Sequence, residues 1–354
     1  MSQKHLHLSV KNIKIETKDT KTIEFWHPIH DTLKYKSGQF ITLILPINGK
    51  KIRRSYSLSS SPEFDSSPSI TVKRVKNGLV SNYINDEIKI GDSLEILEPE
   101  GRFVIPLESS LKEFVFVAAG SGIGPILAQI KTVLKKNYQA NVHLIYGSRD
   151  ENEIIFKKDL EELETMYKGR LNILYIISQP SSNWPGLKGR INQASFIYYL
   201  KQEIGILPNS ANYFICGPGG MIEEVRKSLK LFDISEEQIF FEYFTSSNAP
   251  SPLENSKEID EESKNRLVKI EYEGETYEVM VKPNETILEA ALELDIDLPY
   301  SCQAGMCTAC MGKCTQGKVV MDEEDGLTEN EIKKGFILSC VAHPASDDVI
   351  LNFD

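Results

Sequence analysis

Residues 113–136 read EFVFVAAGSGIGPILAQIKTVLKK, and this stretch sets the architecture of the middle of the chain. Glu113–Ala119 is a short apolar run of the kind found in a strand covered on both faces by helices. Gly120, Gly122 and Gly124 follow, making a turn whose backbone can come close to a ligand. From Pro125 onward the apolar residues recur at helical spacing. Pro125 suits the first helical turn, where its missing N–H has no intrahelical partner anyway. A glycine turn between strand and helix offers backbone N–H groups and a positive helix end to a pyrophosphate. The spacing departs from G-x-G-x-x-G, because position 125 is proline.

The same rhythm continues over residues 109–245. NVHLIYG, RLNILYIIS, NYFICG and IFFEYF read as strands, and IIFKKDLEELETMYK and MIEEVRKSLKLF as helices. This alternation predicts a doubly covered parallel sheet, an α/β nucleotide-binding domain. A second turn, Cys216-Gly217-Pro218, falls at the carboxyl edge of that sheet, where ligand crevices form. A small thiol there can touch a nicotinamide without blocking it. The strand ending Tyr146-Gly147 is followed by Ser148 and Arg149. An acid near this point commonly holds the ribose hydroxyls of NADH, whereas arginine suits a 2′-phosphate. The pattern favours NADPH over NADH; a solvated loop arginine is the bland alternative.

Residues 1–108 change period. HLHLSVKNIKI, FITLIL, SITVKRV and SLEIL alternate apolar with polar residues between Gly/Pro/Ser/Asn breaks, which predicts a small antiparallel β-barrel with one helix near Leu79–Asn85. Within it, Arg54-Ser55-Tyr56-Ser57 offers a cation for phosphate, an aromatic plane for a ring and a hydroxyl for a ring nitrogen. Gly78-Leu79-Val80-Ser81, at a helix start, is a second phosphate candidate.

Residues 246–266 lack apolar periodicity and read as a flexible linker. Residues 267–354 begin with a strand pair turning at Glu273-Gly274, then a helix over ETILEAALEL, a cysteine loop and closing strands. The spacing Cys302-x4-Cys307-x2-Cys310-x29-Cys340 matches the plant-type [2Fe–2S] pattern. Three thiolates on one short loop converge on two irons, and a distant fourth closes the site. A zinc site would favour paired C-x2-C units, of which there is one. Cys314 is surplus and reads as a packed strand residue; His343 reads as surface packing.

Residues 246–354 carry 9 Lys/Arg against 23 Asp/Glu, while the first 245 residues carry 31 against 28. The acidic part therefore reads as a separate module able to steer a basic partner, or simply as a solubilising surface. A net charge of -11 argues against nucleic-acid binding. No apolar run of about 18 residues exists to span a membrane, and the first residues lack a secretory h-region. The expectation is a cytoplasmic protein.

Together these motifs resemble the ferredoxin–NADP reductase superfamily, specifically its oxygenase reductases with a C-terminal ferredoxin domain. Those of phenylacetyl-CoA epoxidase are the nearest likeness, and ketosteroid hydroxylase reductases are similar. RSYS, GLVS, GSGIGP, YGSR, CGPGG and the four cysteines occur in that family's order over all but the linker. The resemblance implies an FAD barrel (1–108), an NAD(P) domain (109–245) and a β-grasp ferredoxin domain (267–354). It implies electron flow from NADPH through FAD and a [2Fe–2S] cluster to an oxygenase or hydroxylase partner. By the same resemblance Arg54 holds the flavin pyrophosphate, Tyr56 stacks on the isoalloxazine and Ser57 approaches its N5. Val72, Lys73 and Arg74 match a flavin-contacting strand, and Ser81 caps the phosphates. Gly120–Pro125 and Cys216–Pro218 bracket NADPH, and Glu242 and Phe244 end the module beside the flavin. Ser57, Cys216 and Glu242 are thus the candidate catalytic residues. Thr308, in CTAC, departs from the glycine many relatives carry. Other readings of the motifs are a self-contained reductase of quinones or ferric chelates, or a non-enzymatic electron carrier.

Overall fold

A computed structural model describes residues 5–26, 33–106, 111–244, 264–300, 303, 305 and 308–353, apart from 323–325 and 328. It divides into two compact units, 1–244 and 245–354. Most of the expected linker, through residue 263, lies outside the described residues.

The first unit opens with β1 (His5–Thr17), β2 (Thr20–Trp26), β3 (Phe40–Ile47), β4 (Lys50–Ser57) and β5 (Ser69–Lys73). Helix α1 (Leu79–Glu87) and β6 (Ser93–Leu97) follow. The six strands pair antiparallel in the order β4-β3-β6-β1-β2-β5. The two edge strands meet where Leu58, just past β4, bridges Ile70, and where the Ser59 N–H donates to the Ser69 carbonyl. That closure makes the expected barrel. Its interior is filled by Leu8, Phe25, Ile41, Leu43, Val72 and Ile96, all essentially fully buried, as strict alternation requires.

The second half of this unit has β7 (Glu113–Ala119), β8 (Asn141–Ser148), β9 (Leu171–Ile177), β10 (Leu187–Lys188), β11 (Ala211–Gly217) and β12 (Ile239–Tyr243). They form an all-parallel sheet ordered β10-β9-β8-β7-β11-β12. The chain runs outward from β7 to β10 and then crosses to β11, so the order reverses beside β7. In such sheets ligands bind at that reversal. Helices α2 (Ile123–Lys136), α3 (Lys157–Met166), α4 (Gln193–Tyr198) and α5 (Gly219–Lys230) complete it. Apolar cores line both faces of the sheet, one gathering Phe116, Ile126, Leu144 and Phe214, the other Val117, Ile145, Ile215 and Val225. Helix α3 starts later than the apolar pattern suggests, because Phe156 takes a left-handed φ of 59° just before it.

Barrel and sheet pack together inside this unit. The Thr132 hydroxyl of α2 shares hydrogen bonds with Ser37 and Ser61, and Gln129 Nε2 donates 2.6 Å to the Phe103 carbonyl. Gly38 is obligatory here: a Cβ would lie 1.7 Å from the Phe103 oxygen.

The second unit contains β13 (Arg266–Tyr272), β14 (Glu275–Val281), α6 (Ile287–Glu293), β15 (Met311–Gln316), β16 (Val319–Met321), α7 (Glu329–Lys333), β17 (Phe336–Leu338), β18 (Ala342–Pro344) and β19 (Ile350–Asn352). Five strands make a mixed sheet ordered β14-β13-β19-β15-β17, parallel only between β13 and β19. Glu273 and Gly274, both at positive φ, make the expected two-residue hairpin turn. Ile287, Leu288, Ala290 and Ala291 of α6 join the core of this sheet, giving the β-grasp arrangement. Helix α6 begins at Ile287, not at Glu285, because Thr286 and Glu289 form a capping box.

Candidate functional site

Ser57, Glu242, Cys216 and the turn around Gly122 come together at the carboxyl edge of the parallel sheet. The end of β4 carries Arg54, Tyr56 and Ser57, held in register by pairing with Leu43, Ile41 and Phe40 of β3. The Ser57 hydroxyl donates to Glu242 Oε2 at 2.8 Å. Glu242 sits on β12 directly beside Cys216 of β11. One residue from the barrel and two from the nucleotide half therefore meet in one chain of contacts. Cys216 is fully buried; burial pushes its thiol well up, and the neighbouring Glu242 charge adds to this. It is a neutral thiol at physiological pH. Burial likewise pushes the Tyr56 phenol up.

The glycine turn closes over the same edge. A Cβ on Gly122 would sit 2.2 Å from the Cys216 carbonyl oxygen, so only glycine lets this turn pass the end of β11. Gly120 has φ +55°. Gly124 faces the barrel, its notional Cβ 3.8 Å from Ser59 Cβ. Pro125 lies in the first turn of α2.

Helix starts separate into two classes. Helices α4 and α6 carry capping boxes. Helices α1, α2 and α5, which open at Gly78, Gly122 and Pro218, have no side-chain cap. At α2 the Ile123 N–H already donates to the Gly120 and Ser121 carbonyls, and at α5 the Met221 N–H to the Pro218 carbonyl; the remaining first-turn N–H groups suit phosphate oxygens. Helix α3 also lacks a side-chain cap, but it places Asp159 in its first turn. The two helix-start phosphate candidates of the sequence, Gly78–Ser81 and Gly120–Gly124, are thus both uncapped, and a pyrophosphate-bearing cofactor fits that donor set.

Several expected residues are engaged locally. Val72 is buried inside the barrel, so its backbone is the part available to a ligand, and its carbonyl accepts from Asn85. Val80 is buried too, and Ser81 accepts from the Val75 N–H at 3.0 Å. Arg74 pairs with Asp86 and donates to Asn82. Ser148 donates to the Asp150 carbonyl. Phe244 ends the described part of the first unit and is 37% exposed.

Glu153, which sequence reasoning missed, ties two of the candidates together. Its carboxylate is 2% exposed and accepts Lys73 Nζ at 3.2 Å, Lys18 Nζ at 3.4 Å and the Arg149 guanidinium. Burial pushes this carboxyl up, but Arg149 and Lys73 outweigh burial and hold it below its usual range. Arg149 keeps its side chain 53% exposed. Nothing in DENEII distinguishes Glu153 from its acidic neighbours. Tyr146 was also missed as a support: its buried hydroxyl donates to the Gly120 carbonyl and accepts from the Ile155 N–H, both at 3.2 Å.

In the second unit Cys310 and Cys340 are buried with their sulfurs 3.3 Å apart. Cys302 and Cys307 lie outside the described residues. Between them, Gly305 has φ +68°, and a Cβ on Gly326 would meet the Gly305 carbonyl at 2.4 Å, so a second glycine backs the loop. The Ser339 hydroxyl, next to Cys340 in the chain, is buried with no partner among the described residues. Two adjacent thiols, a glycine-lined loop and an orphaned donor fit a thiolate-bound iron–sulfur cluster. Cys314 directs its thiol to the Gln316 carbonyl from β15. His343, expected as simple surface packing, is instead held on both ring nitrogens, by Asp322 at 3.0 Å and the Glu285 carbonyl at 2.9 Å. The β16–β18 pairing, invisible to local pattern, creates that pocket of acceptors.

Comparison with known proteins matches three family models. They are an oxidoreductase FAD-binding domain over 7–105, an oxidoreductase NAD-binding domain over 116–227 and a 2Fe-2S iron–sulfur cluster binding domain over 270–345. The chain is 33% identical to a component of the 1,2-phenylacetyl-CoA epoxidase of Escherichia coli (strain K12), over 98% of this chain and 97% of that protein. It is 33% identical to the ferredoxin reductase component of 3-ketosteroid-9-alpha-monooxygenase of Rhodococcus rhodochrous, over 98% and 96%. The solved structure of phthalate dioxygenase reductase shares the fold, with a TM-score of 0.65 at 23% identity, covering 99% of this chain and 98% of that one.

Proposed function

This chain belongs to the three-domain oxidoreductases, the reductase components of oxygenases, that join FAD-binding, NAD-binding and 2Fe-2S domains, and from that premise we propose its specific task. It draws electrons from NADPH and delivers them to an oxygenase of the phenylacetyl-CoA epoxidase type, acting in the cytoplasm. A flavin supplies the conversion from two-electron hydride chemistry to the single electrons that a [2Fe–2S] cluster carries.

The observation that carries this reading is the Ser57–Glu242 hydrogen bond, which pins the barrel edge against the end of the nucleotide sheet. In the proposal, Arg54 and the α1 start at Gly78–Ser81 hold the FAD pyrophosphate, with Arg74 beside them and the Val72–Lys73 backbone along the ring. Tyr56 covers one ring face, and Phe244 shields the other side. Ser57 keeps its proton on Oγ, directed to Glu242, leaving its lone pairs toward the ring edge. The turn Gly120–Pro125 takes the NADPH pyrophosphate. Cys216, Gly217 and Pro218 flank the nicotinamide, where the neutral thiol adds no anionic charge. Ser148 and Arg149 take the 2′-phosphate, Arg149 through the part of its guanidinium that Glu153 leaves open. Cys302, Cys307, Cys310 and Cys340 hold the cluster. Residues 246–266 act as the tether between domains 1–108 and 109–245 on one side and 267–354 on the other.

Purified protein reconstituted with FAD and iron tests this. It should show flavin and iron–sulfur absorption, oxidise NADPH in preference to NADH, and reduce cytochrome c rapidly. Deleting 246–354 should abolish cytochrome c reduction while leaving NADPH-dependent flavin reduction. A truncated protein that still reduced cytochrome c at the full rate would overturn the assigned electron route. Faster turnover with free quinones than with any protein acceptor would favour a self-contained reductase.

A further inference from the structure

Strand β12, which carries Glu242, is an edge of the parallel sheet: among the described residues it pairs only with β11. An edge strand has a ladder on one side alone, so its side chains must do much of the work of holding it. Alternation sends Phe240 and Glu242 to one face and Phe241 and Tyr243 to the other, and the two faces join different cores. On the first face Phe240 stacks on Phe214 with ring centroids 4.8 Å apart, and Glu242 accepts the Ser57 hydroxyl. On the second face both neighbours of Glu242 meet a single residue, Arg226 of α5. Its guanidinium carbon lies 4.1 Å from the centre of the Phe241 ring, and its Nη1 donates to the Tyr243 hydroxyl at 3.3 Å. Glu223, three residues earlier on α5, accepts from Arg226 at 3.3 Å and from the Tyr243 hydroxyl. The Arg226 side chain is only 22% exposed, and a cation over a ring counts for more where water is partly excluded. The Tyr243 ring also rests at the start of α5, where a Cβ on Gly219 would meet it at 3.6 Å. One arginine thus grips the residues on both sides of Glu242 and ties them to the helix that opens at the Cys216–Pro218 turn.

We infer that Arg226 is a positioning residue for the hydride step: by clamping Phe241 and Tyr243 it fixes the edge strand so that Glu242 stays on the Ser57 hydroxyl and beside Cys216. The inference rests on the proposed place of Glu242 at the flavin–nicotinamide site. Arg226 acts from the opposite face of the sheet, through the strand. Its loss lets the strand end shift, which misplaces Glu242 while the glycine turn and Arg149 still hold the nucleotide.

Two measurements on full-length, flavin-loaded protein test this. Amide hydrogen exchange reads the clamp itself, and stopped-flow flavin reduction reads its consequence. R226A should raise exchange in the peptide spanning Ile239–Tyr243 by about tenfold and leave β8 and β9 unchanged. It should slow flavin reduction by NADPH by about threefold to tenfold, with the NADPH Kd within about twofold of wild type. Y243F, which removes only the hydroxyl, should act in the same direction by a smaller factor. Because Arg226 works through Glu242, the R226A/E242Q double variant should reduce its flavin at the E242Q rate. Wild-type exchange and rate in R226A, or losses that multiply in the double variant, would overturn the inference. Should R226A fail to hold flavin, Y243F decides, and wild-type exchange and rate there would overturn it equally. Wild-type flavin reduction in both S57A and E242Q would instead overturn the reading of Glu242, and this inference with it.

Discussion

Ser57 and Glu242 stand 185 positions apart in the chain and 2.8 Å apart in space, hydroxyl donating to carboxylate. The bond joins the last residue of a barrel strand to the last strand of a parallel sheet. It aligns the two halves in which the proposed flavin and nicotinamide sites lie. Replacing Ser57 by alanine removes the donor and leaves Glu242, 8% exposed, without it. S57A and E242Q should each slow flavin reduction by NADPH by about tenfold to a hundredfold, a loss of about 1.5–3 kcal/mol for a bond to a charged group. Stopped-flow absorbance at equal flavin content checks this. An unchanged rate in both variants would remove these residues from the hydride step.

Arg149 has half of its surface open while Glu153 holds one edge. If the open edge binds a 2′-phosphate, R149A should raise the KM for NADPH by about tenfold or more and leave the KM for NADH nearly unchanged. Steady-state kinetics with both nucleotides decide it; parallel changes would assign Arg149 to structure alone.

Glu153 gathers two lysines from the barrel and Arg149 from the sheet. Its carboxyl is held below its usual range, so its contribution to stability is complete above the unfolded-state value of about 4.3. That contribution is lost as pH falls through the lower folded-state value. E153Q should cost about 1–3 kcal/mol at pH 7, because its partners Lys18 and Arg149 can turn to water. The gap between wild type and E153Q should narrow below about pH 4. Thermal melts at both pH values measure this; a gap that widened in acid would contradict the sign.

Gly122 passes so close to Cys216 that a methyl group would overlap backbone atoms. G122A should lower stability by about 1–3 kcal/mol through overpacking and weaken nucleotide binding more than flavin binding. Isothermal titration with NADP+ on flavin-loaded protein reads the difference.

The cysteines should sort cleanly. C310S and C340S, whose sulfurs touch, should lose iron–sulfur absorption, as should C302S and C307S. C314S should keep it, because that thiol faces the Gln316 carbonyl. Loss of the cluster in C314S would redraw the ligand set.

The amino-acid sequence alone determined the three-part plan. Alternation of period two marked the barrel, buried apolar runs with helices marked the parallel sheet, and cysteine spacing marked the iron–sulfur module. These signals are local: each depends on side chains within one strand, turn or loop, where period and turn chemistry act directly. The glycines at 120, 122 and 124 were legible for the same reason. Tertiary structure decided what those residues touch. Glu153 became the hub of three cations and Tyr146 the prop beneath Gly120. His343 exchanged a surface role for a place between two acceptors. Each of these depends on strands and loops far apart in sequence arriving at one point. That arrival is set by barrel closure, strand order and core packing, which no local window contains.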